Sequence, residues 1–489
     1  YLTSYKIRSL HVFWHNDTTI IIRDENPERK GMGAKQRIYT AGVLYYTVLK
    51  IRTDFRKGRQ EDVMERNDPR YQAYVEILKE ELIPEMGCTE PIALAYAAAK
   101  AREVLGVLPD SVQLQVSGSI IKNVKSVIVP NTGHLKGMEA AVAAGIIAGS
   151  AEKELEVISE VSEEKKSAIR DYLQTVPITI EHTEQGHVFD IVVTERCGQD
   201  YARVRIADYH TNICRIEKNG TVLYEVPLLD ETVQEDARAD RSLLNMQDIW
   251  DFAETADLRD VADLLERQIR YNNAIAEEGL LGDYGANIGR VLLTTYGNDV
   301  SNRAKAKAAA GSDARMNGCE LPVIINSGSG NQGITCSVPL IEYAKELHSG
   351  KEKLYRALII SNLVAIHEKT GIGTLSAYCG AVSAGAGAGA GIVYLCGDGY
   401  QAAIHTVVNA LAIVSGIVCD GAKASCAAKI ASSVDAALLG YNMYKCNQEF
   451  KGGDGIVMKD IETTIKGIGR LGKDGMRQTN EEIIRLMIE

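Results

Sequence analysis

The stretch GTLSAYCGAVSAGAGAGAGI, residues 373–392, decides the fold. From Ala384 to Gly391, alanine and glycine alternate, which is the period of a strand. The segments on either side carry helical spacing instead. The stretch is therefore read as a tightly packed, buried helix within a helical neighbourhood. Working outward, Gln247 to Glu278 is charged and helical, and from Val291 to the end helix follows helix, broken by glycines. Strand signals there are too sparse for an α/β fold, and no repeat of fixed period appears. Residues 230–489 are expected to form a mostly α-helical domain. Ala402–Val418 is apolar, but it holds His405, Asn409 and several small residues, so it is read as a buried helix and not a membrane span.

Upstream, the pattern changes. Asp68 is a natural N-cap and Pro69 suits a first turn, so a helix is expected over Tyr71–Leu82. Pro91–Leu105 and Gly137–Gly149 read as small-residue helices, and Glu152–Leu173 as one charged helix. Val112–Val116 and Val124–Val129 alternate as strands around Ser117-Gly118. Short β-rich runs follow at Pro177–His182, His187–Glu195, Ala202–Asp208, Cys214–Lys218 and Thr221–Val226. Turns are read at Glu184-Gln185-Gly186 and at Asn219-Gly220, the latter a hairpin signal. Residues 64–229 are thus expected to be a small α/β unit. Residues 1–63 show no clear amphipathic period and are read as an extension outside the working protein, which would begin near Met64. The expected class is α+β.

The 489 residues suit two or three domains. A formal net charge of −11 argues against a nucleic-acid scaffold and against an anionic membrane surface. Ten cysteines spread over the chain are too few for a disulfide-dense scaffold, and no signal peptide is evident at the start. A cytoplasmic protein with reduced thiols is expected.

Three clusters bear chemistry. Cys379, Cys419 and Cys426 are spaced C-x39-C-x6-C. Zinc sites use close cysteine pairs, which are absent here. Three thiolates instead suit a [4Fe–4S] cluster with one iron lacking a protein ligand, open to act as a Lewis acid. On an unbroken helix, positions 419 and 426 would lie about 10.5 Å apart along the axis. The helix should therefore break near Asp420-Gly421 and restart near Lys423. On spacing alone, three packing cysteines in an Ala-rich core fit as well. The second cluster is Gly87-Cys88-Thr89-Glu90-Pro91, where a helix N-terminus would favour a Cys88 thiolate acting as base or nucleophile, unless Cys88 is a small buried cap. The third is Asn326-Ser327-Gly328-Ser329-Gly330-Asn331-Gln332-Gly333, a nest of donors suited to a carboxylate or a tight turn. Asn123, Asn131, His367 and Lys423 are further candidates.

With these motifs assembled, the chain resembles the L-cysteine desulfidases, relatives of the alpha chain of bacterial iron–sulfur L-serine dehydratases. The resemblance runs from about Asn67 to the C-terminus. It is carried by GCTEP at 87–91, SGSIIKNVKSVIVPNTG at 117–133, NSGSGNQGI at 326–334, the 373–392 stretch, and CDGAKASCAAK at 419–429. It implies an oxygen-sensitive [4Fe–4S] cluster on Cys379, Cys419 and Cys426, without pyridoxal phosphate. It also implies release of hydrogen sulfide, ammonia and pyruvate from L-cysteine. Cys88 falls on the family's fourth important cysteine, near the substrate. Cys88 and Lys423 are then the expected catalytic residues. Thr89, Asn131, Ser327, Ser329, Asn331 and His367 are expected to bind the amino acid. A homo-oligomer is expected. Two alternatives stay open: serine dehydration on the same cluster, and a non-enzymatic iron–sulfur sensor, for which no DNA-binding output module is evident.

Overall fold

The computed structural model describes residues 4–7, 10–15, 19–24, 37–40, 64–183, 187–228, 238–373 and 376–488. The chain divides into two compact units, Tyr1–Val63 and Met64–Glu489. In the first, β1 (Ser4–Ile7), β2 (Leu10–His15), β3 (Thr19–Asp24) and β4 (Arg37–Thr40) form an antiparallel meander in sequence order. The described residues of this unit are strands rich in Ile and aromatics, which carry no helical period.

The second unit is mixed α and β. The helix Pro69–Glu81 starts as expected, with the Asp68 carboxylate accepting the Arg70 N–H. A short strand, β5 (Pro84–Met86), leads into the helix Thr89–Leu105. Then come β6 (Ser111–Ser117), β7 (Ile178–Thr183), β8 (Asp190–Cys197), β9 (Asp200–Ala207), β10 (Ile213–Lys218) and β11 (Thr221–Glu225). They form one sheet in the order β11-β10-β9-β8-β6-β7, parallel only between β6 and β7. The β10–β11 turn has Asn219 at φ 51° and Gly220 at φ 81°, the left-handed pair that Asn-Gly supplies. The Glu184-Gln185-Gly186 turn lies outside the described residues. The Thr89–Leu105 helix covers the sheet, and the Gly137–Ala148 helix packs on it backbone to backbone: a Cβ on Gly145 would sit 2.1 Å from the Ala95 carbonyl oxygen.

Two local expectations are corrected. Val124–Val129 is not a strand. Residues Gly118–Val124 form a helix entered from the extended Ser117, burying Ile120, Ile121 and Val124 at helical spacing, and Ile128 makes only an isolated bridge to Lys136. Glu152–Leu173 is not one helix. A 3-10 turn at Ala151–Glu156, with Glu154 at φ 46°, is followed by a helix at Glu163–Thr175. The Ser162 hydroxyl caps this second start by accepting the Lys165 N–H.

Downstream the chain is helical apart from β12 (Pro322–Ile324), which pairs antiparallel with β5. The Ala–Gly stretch is the buried helix Gly380–Cys396. Its alternation comes from two interleaved i, i+4 stripes. Gly385 and Gly389 meet Ser433 and Ala437 of the Ser425–Lys445 helix, while Gly387 and Gly391 meet Ser361 and Ala357 of the Lys351–Ile372 helix. Two helices pack on opposite sides of one, and each close approach needs a residue without a Cβ. The Ala402–Val418 segment is the helix Tyr400–Val414, and among the described residues no helix is long and apolar enough to cross a membrane.

Candidate active site

An isolated antiparallel bridge between Tyr378 and Val418 builds the first half of the site. The Cys379 N–H donates to the Ile417 carbonyl at 3.1 Å, and the Cys419 N–H to the Ala377 carbonyl at 2.6 Å. Gly421, at φ 95°, then turns the chain, and Cys426 sits in the first turn of the helix beginning at Ser425. The break near Asp420-Gly421 is where the spacing argument requires one. None of the three cysteines is in a disulfide. Burial, and then the neighbouring Cys419, push the thiols of Cys379 and Cys426 up, so the three sulfurs feel one another. Ammonium groups surround them. Lys429 donates to the Val418 carbonyl at 2.9 Å and pairs with Asp420, as does Lys423 at 3.0 Å. Lys369 is brought down to about 8 by burial, against the pull of Cys419 and Cys379. Among the described residues, no three His, Cys, Asp or Glu side chains are grouped to hold a single metal ion. Three thiols that influence one another in a cationic setting fit a polynuclear cluster held through sulfur.

The second half forms beside the β5–β12 pair: the chain leaving β5 turns at Gly87 (φ 73°), and Thr89 then meets the Asn326–Ser329 turn. Cys88 is the N-cap of the Thr89–Leu105 helix. Its thiol donates to Glu90 Oε2 at 3.0 Å, while Asn123 Nδ2 donates to Glu90 Oε1 at 2.8 Å. Burial opposes the charge on Glu90. The attraction of His210 and the Cys88 hydrogen bond outweigh it and hold the carboxyl at about 2. The same contacts oppose the expected Cys88 thiolate. Burial first, and then the Glu90 carboxylate, push the Cys88 thiol well up, and the helix N-terminus does not offset them. Behind the pair, Glu85 and Arg315 form a buried ion pair at 3.0 Å. Several buried polar atoms here have no protein partner: Glu85 Oε2, Asn123 Oδ1, His210 Nε2, Arg315 Nε, Asn331 Oδ1 and Gln332 Oε1. Such a concentration is rare in a packed interior and marks a place for a polar ligand.

Two close approaches join the halves. A Cβ on Gly421 would sit 2.1 Å from the Lys122 carbonyl oxygen, and one on Gly380 would sit 2.6 Å from the Gln332 amide carbon. The buried Lys122 feels both Cys419 and Glu90, and its Nζ donates to Asn480 Oδ1 at 2.6 Å. The structure thus brings together Cys379, Cys419, Cys426, Cys88, Thr89, Lys423 and the 326–332 turn. Thr89 Oγ1 donates to the Gly328 carbonyl at 3.3 Å, and the Ser327 hydroxyl to Asn326 Oδ1 at 2.9 Å. Ser329 is the N-cap of the Gly330–Glu346 helix, with Asn331 in its first turn. Two candidates are engaged elsewhere. His367 Nε2 meets Glu462 Oε2 at 2.8 Å, and that carboxylate also accepts the Met246 N–H. The Asn131 amide donates to the Ile158 carbonyl at 2.8 Å and so anchors a loop. Sequence reasoning gave Glu90 no role beyond its helix turn and missed Lys122, Lys369, Arg315 and His210. The first lay inside a quoted motif, whereas a lone histidine in a turn carries no signal.

Residues 152–485 match the serine dehydratase alpha chain family. The chain is 61% identical over 425 residues to a UPF0597 protein of Desulfitobacterium hafniense, covering 87% of this chain and 98% of the relative. It is 52% identical to one from Lachnoclostridium phytofermentans (86% and 100% covered) and 47% identical to one from Treponema denticola (86% and 98%).

Proposed function

The chain belongs to the serine dehydratase alpha chain family, and on that premise we propose that it is a lyase acting on L-cysteine. The reaction releases hydrogen sulfide, ammonia and pyruvate without pyridoxal phosphate. The observation that carries this reading is the meeting of three free thiols with a buried Cys88–Glu90 pair across Lys122. The family is typically iron–sulfur associated. A [4Fe–4S] cluster on Cys379, Cys419 and Cys426 would supply a Lewis-acidic iron when bound. The chain's own residues do the rest. The donors of the 326–332 turn and the ammonium groups of Lys122 and Lys423 receive the carboxylate. Cys88 exchanges a proton with Cα. As the Cα–H bond breaks, its electron pair forms the Cα–Cβ double bond and the thiol leaves as hydrosulfide. The aminoacrylate then takes a proton at Cβ, and water hydrolyses the resulting imine to pyruvate and ammonia.

The family's serine dehydratase name supports a second reading, in which L-serine is the substrate and water the leaving group. Anaerobically purified protein offered each amino acid separately decides between them. Sulfide and pyruvate from cysteine, at a kcat/KM well above that of ammonia release from serine, is the expected result. Faster turnover of serine would transfer the assignment to the dehydratase. Turnover of neither would overturn the lyase reading.

A further inference from the structure

The β9–β10 turn brings a histidine to the Cys88 pair. Asp208 takes φ 68°, and its carboxylate meets His187 Nδ1 at 2.6 Å. The Phe189 ring packs edge-on against His210, with centroids 4.7 Å apart. On the far side lies the 326–332 turn: a Cβ on Gly328 would be 3.7 Å from His210 Cε1. His210 Nε2 is buried, makes no hydrogen bond, and lies 4.0 Å from Glu90 Oε1. That distance is within ion-pair range and beyond a hydrogen bond.

This placement answers a difficulty in the chemistry. A thiol cannot accept the Cα proton until it has lost its own. Burial and the Glu90 charge oppose that loss, and the Glu90 carboxylate already accepts the Cys88 S–H and the Asn123 amide. A third group must take it. We propose that His210 takes the Cys88 proton, so that one proton passes from Sγ by way of Glu90 to Nε2, leaving a thiolate and an imidazolium on either side of the carboxylate. No electrons change hands and no co-reactant is needed. Glu90 stabilises the imidazolium and Asn123 holds Glu90 in place. The other charged groups facing this arrangement are Glu85 on β5, Arg315 at the end of the Val300–Met316 helix, and Lys122 on the Gly118–Val124 helix. Glu85 and Arg315 offset one another as an ion pair at 3.0 Å, and the Lys122 ammonium remains as a positive charge felt by Glu90. His210 acts through Cys88 and is therefore a positioning residue. The inference rests on the elimination reading, because removal of the Cα proton is what requires the thiolate.

The test is the rate at which iodoacetamide alkylates Cys88, followed by peptide mass spectrometry across pH on anaerobic holoprotein. Wild type is compared with His210→Asn and His210→Gln. The exposed Cys396 and Cys446 serve as references within each sample. The wild type should show a reactive plateau at neutral pH. Both variants should lose it, with Cys88 alkylation at pH 7 falling at least about tenfold and its midpoint moving up, while the reference cysteines and the iron content stay unchanged. A Cys88 profile identical in wild type and either folded variant overturns the proposal. If both variants misfold, the wild-type profile still decides: a single rise at high pH, without the plateau, overturns it. Failure of the elimination reading looks different, since it is wild type that releases neither sulfide nor ammonia whatever the alkylation profile.

Discussion

Removing Arg315 tests the packing beneath the site. Its guanidinium is 3% exposed and its partner Glu85 is fully buried, with Nη2 and Oε1 3.0 Å apart. Arg315→Met leaves Glu85 charged, buried and alone, which costs about 3–5 kcal/mol. For the Met64–Glu489 unit, an unfolding entropy of about 2.1 cal/mol/K per residue amounts to about 0.9 kcal/mol/K, so the melting temperature should fall by about 3–6 °C. Replacing both partners, Arg315→Met with Glu85→Leu, removes the orphaned charge as well and should recover most of the loss. The pH dependence fixes the sign. Burial already raises the folded pKa of Glu85, even with Arg315 opposing it. A carboxyl raised by folding favours the native state when protonated. The penalty is therefore small below its unfolded value of about 4.3, grows as pH rises towards the folded pKa, and is constant above that. Differential scanning fluorimetry of wild type, both single variants and the double variant at pH 4.5 and 7.5 reads all of this. A single variant that loses under about 1 kcal/mol, or a double variant that loses the sum of the two singles, would refute the reasoning.

Three further outcomes are expected. Gly387→Ala would place a Cβ 2.4 Å from the Ser361 carbonyl oxygen; overpacking of about 1–3 kcal/mol outweighs a helix-propensity gain of about 1 kcal/mol, whereas Gly416→Ala, which meets nothing, should stay within about 0.5 kcal/mol in the same melting assay. Glu342 is buried and receives Lys307 at 2.8 Å and Lys345 at 3.1 Å; these outweigh burial and lower its pKa, so Glu342→Gln should cost about 1–3 kcal/mol at neutral pH, and the two stability curves should converge as acid protonates the wild-type carboxylate below its folded pKa. Cys419→Ser should lose most of the iron of reconstituted protein while its circular dichroism matches wild type, and full iron retention would remove Cys419 from the ligand set.

Local features of the fold were legible where the physics is local. Asp68-Pro69 marks a helix start, Asn219-Gly220 a hairpin, and the Ala–Gly run a helix once its neighbours are weighed. The break at Gly421 followed from the reach of a helical turn. What stayed hidden depends on distant pairing. The β5–β12 ladder joins residues 84–86 to 322–324, and the Thr89 hydroxyl meets the Gly328 carbonyl, and no local pattern announces either. His210 is placed by the sheet's topology. The helix N-terminus at Cys88 is visible in sequence, whereas its full burial beside a carboxylate, which opposes a thiolate, is not. Lys122 was hidden because its segment lay between two runs read as strands, when it is a buried helix packed against the Gly421 loop.

The most direct measurement is the iron and acid-labile sulfide content of protein purified and reconstituted without oxygen, taken together with sulfide release from L-cysteine. The account predicts about four irons per chain with turnover, both lost together in a Cys379→Ala, Cys419→Ala, Cys426→Ala triple variant. Iron-free wild-type protein that still turns over cysteine, or a triple variant that keeps its iron, would contradict it.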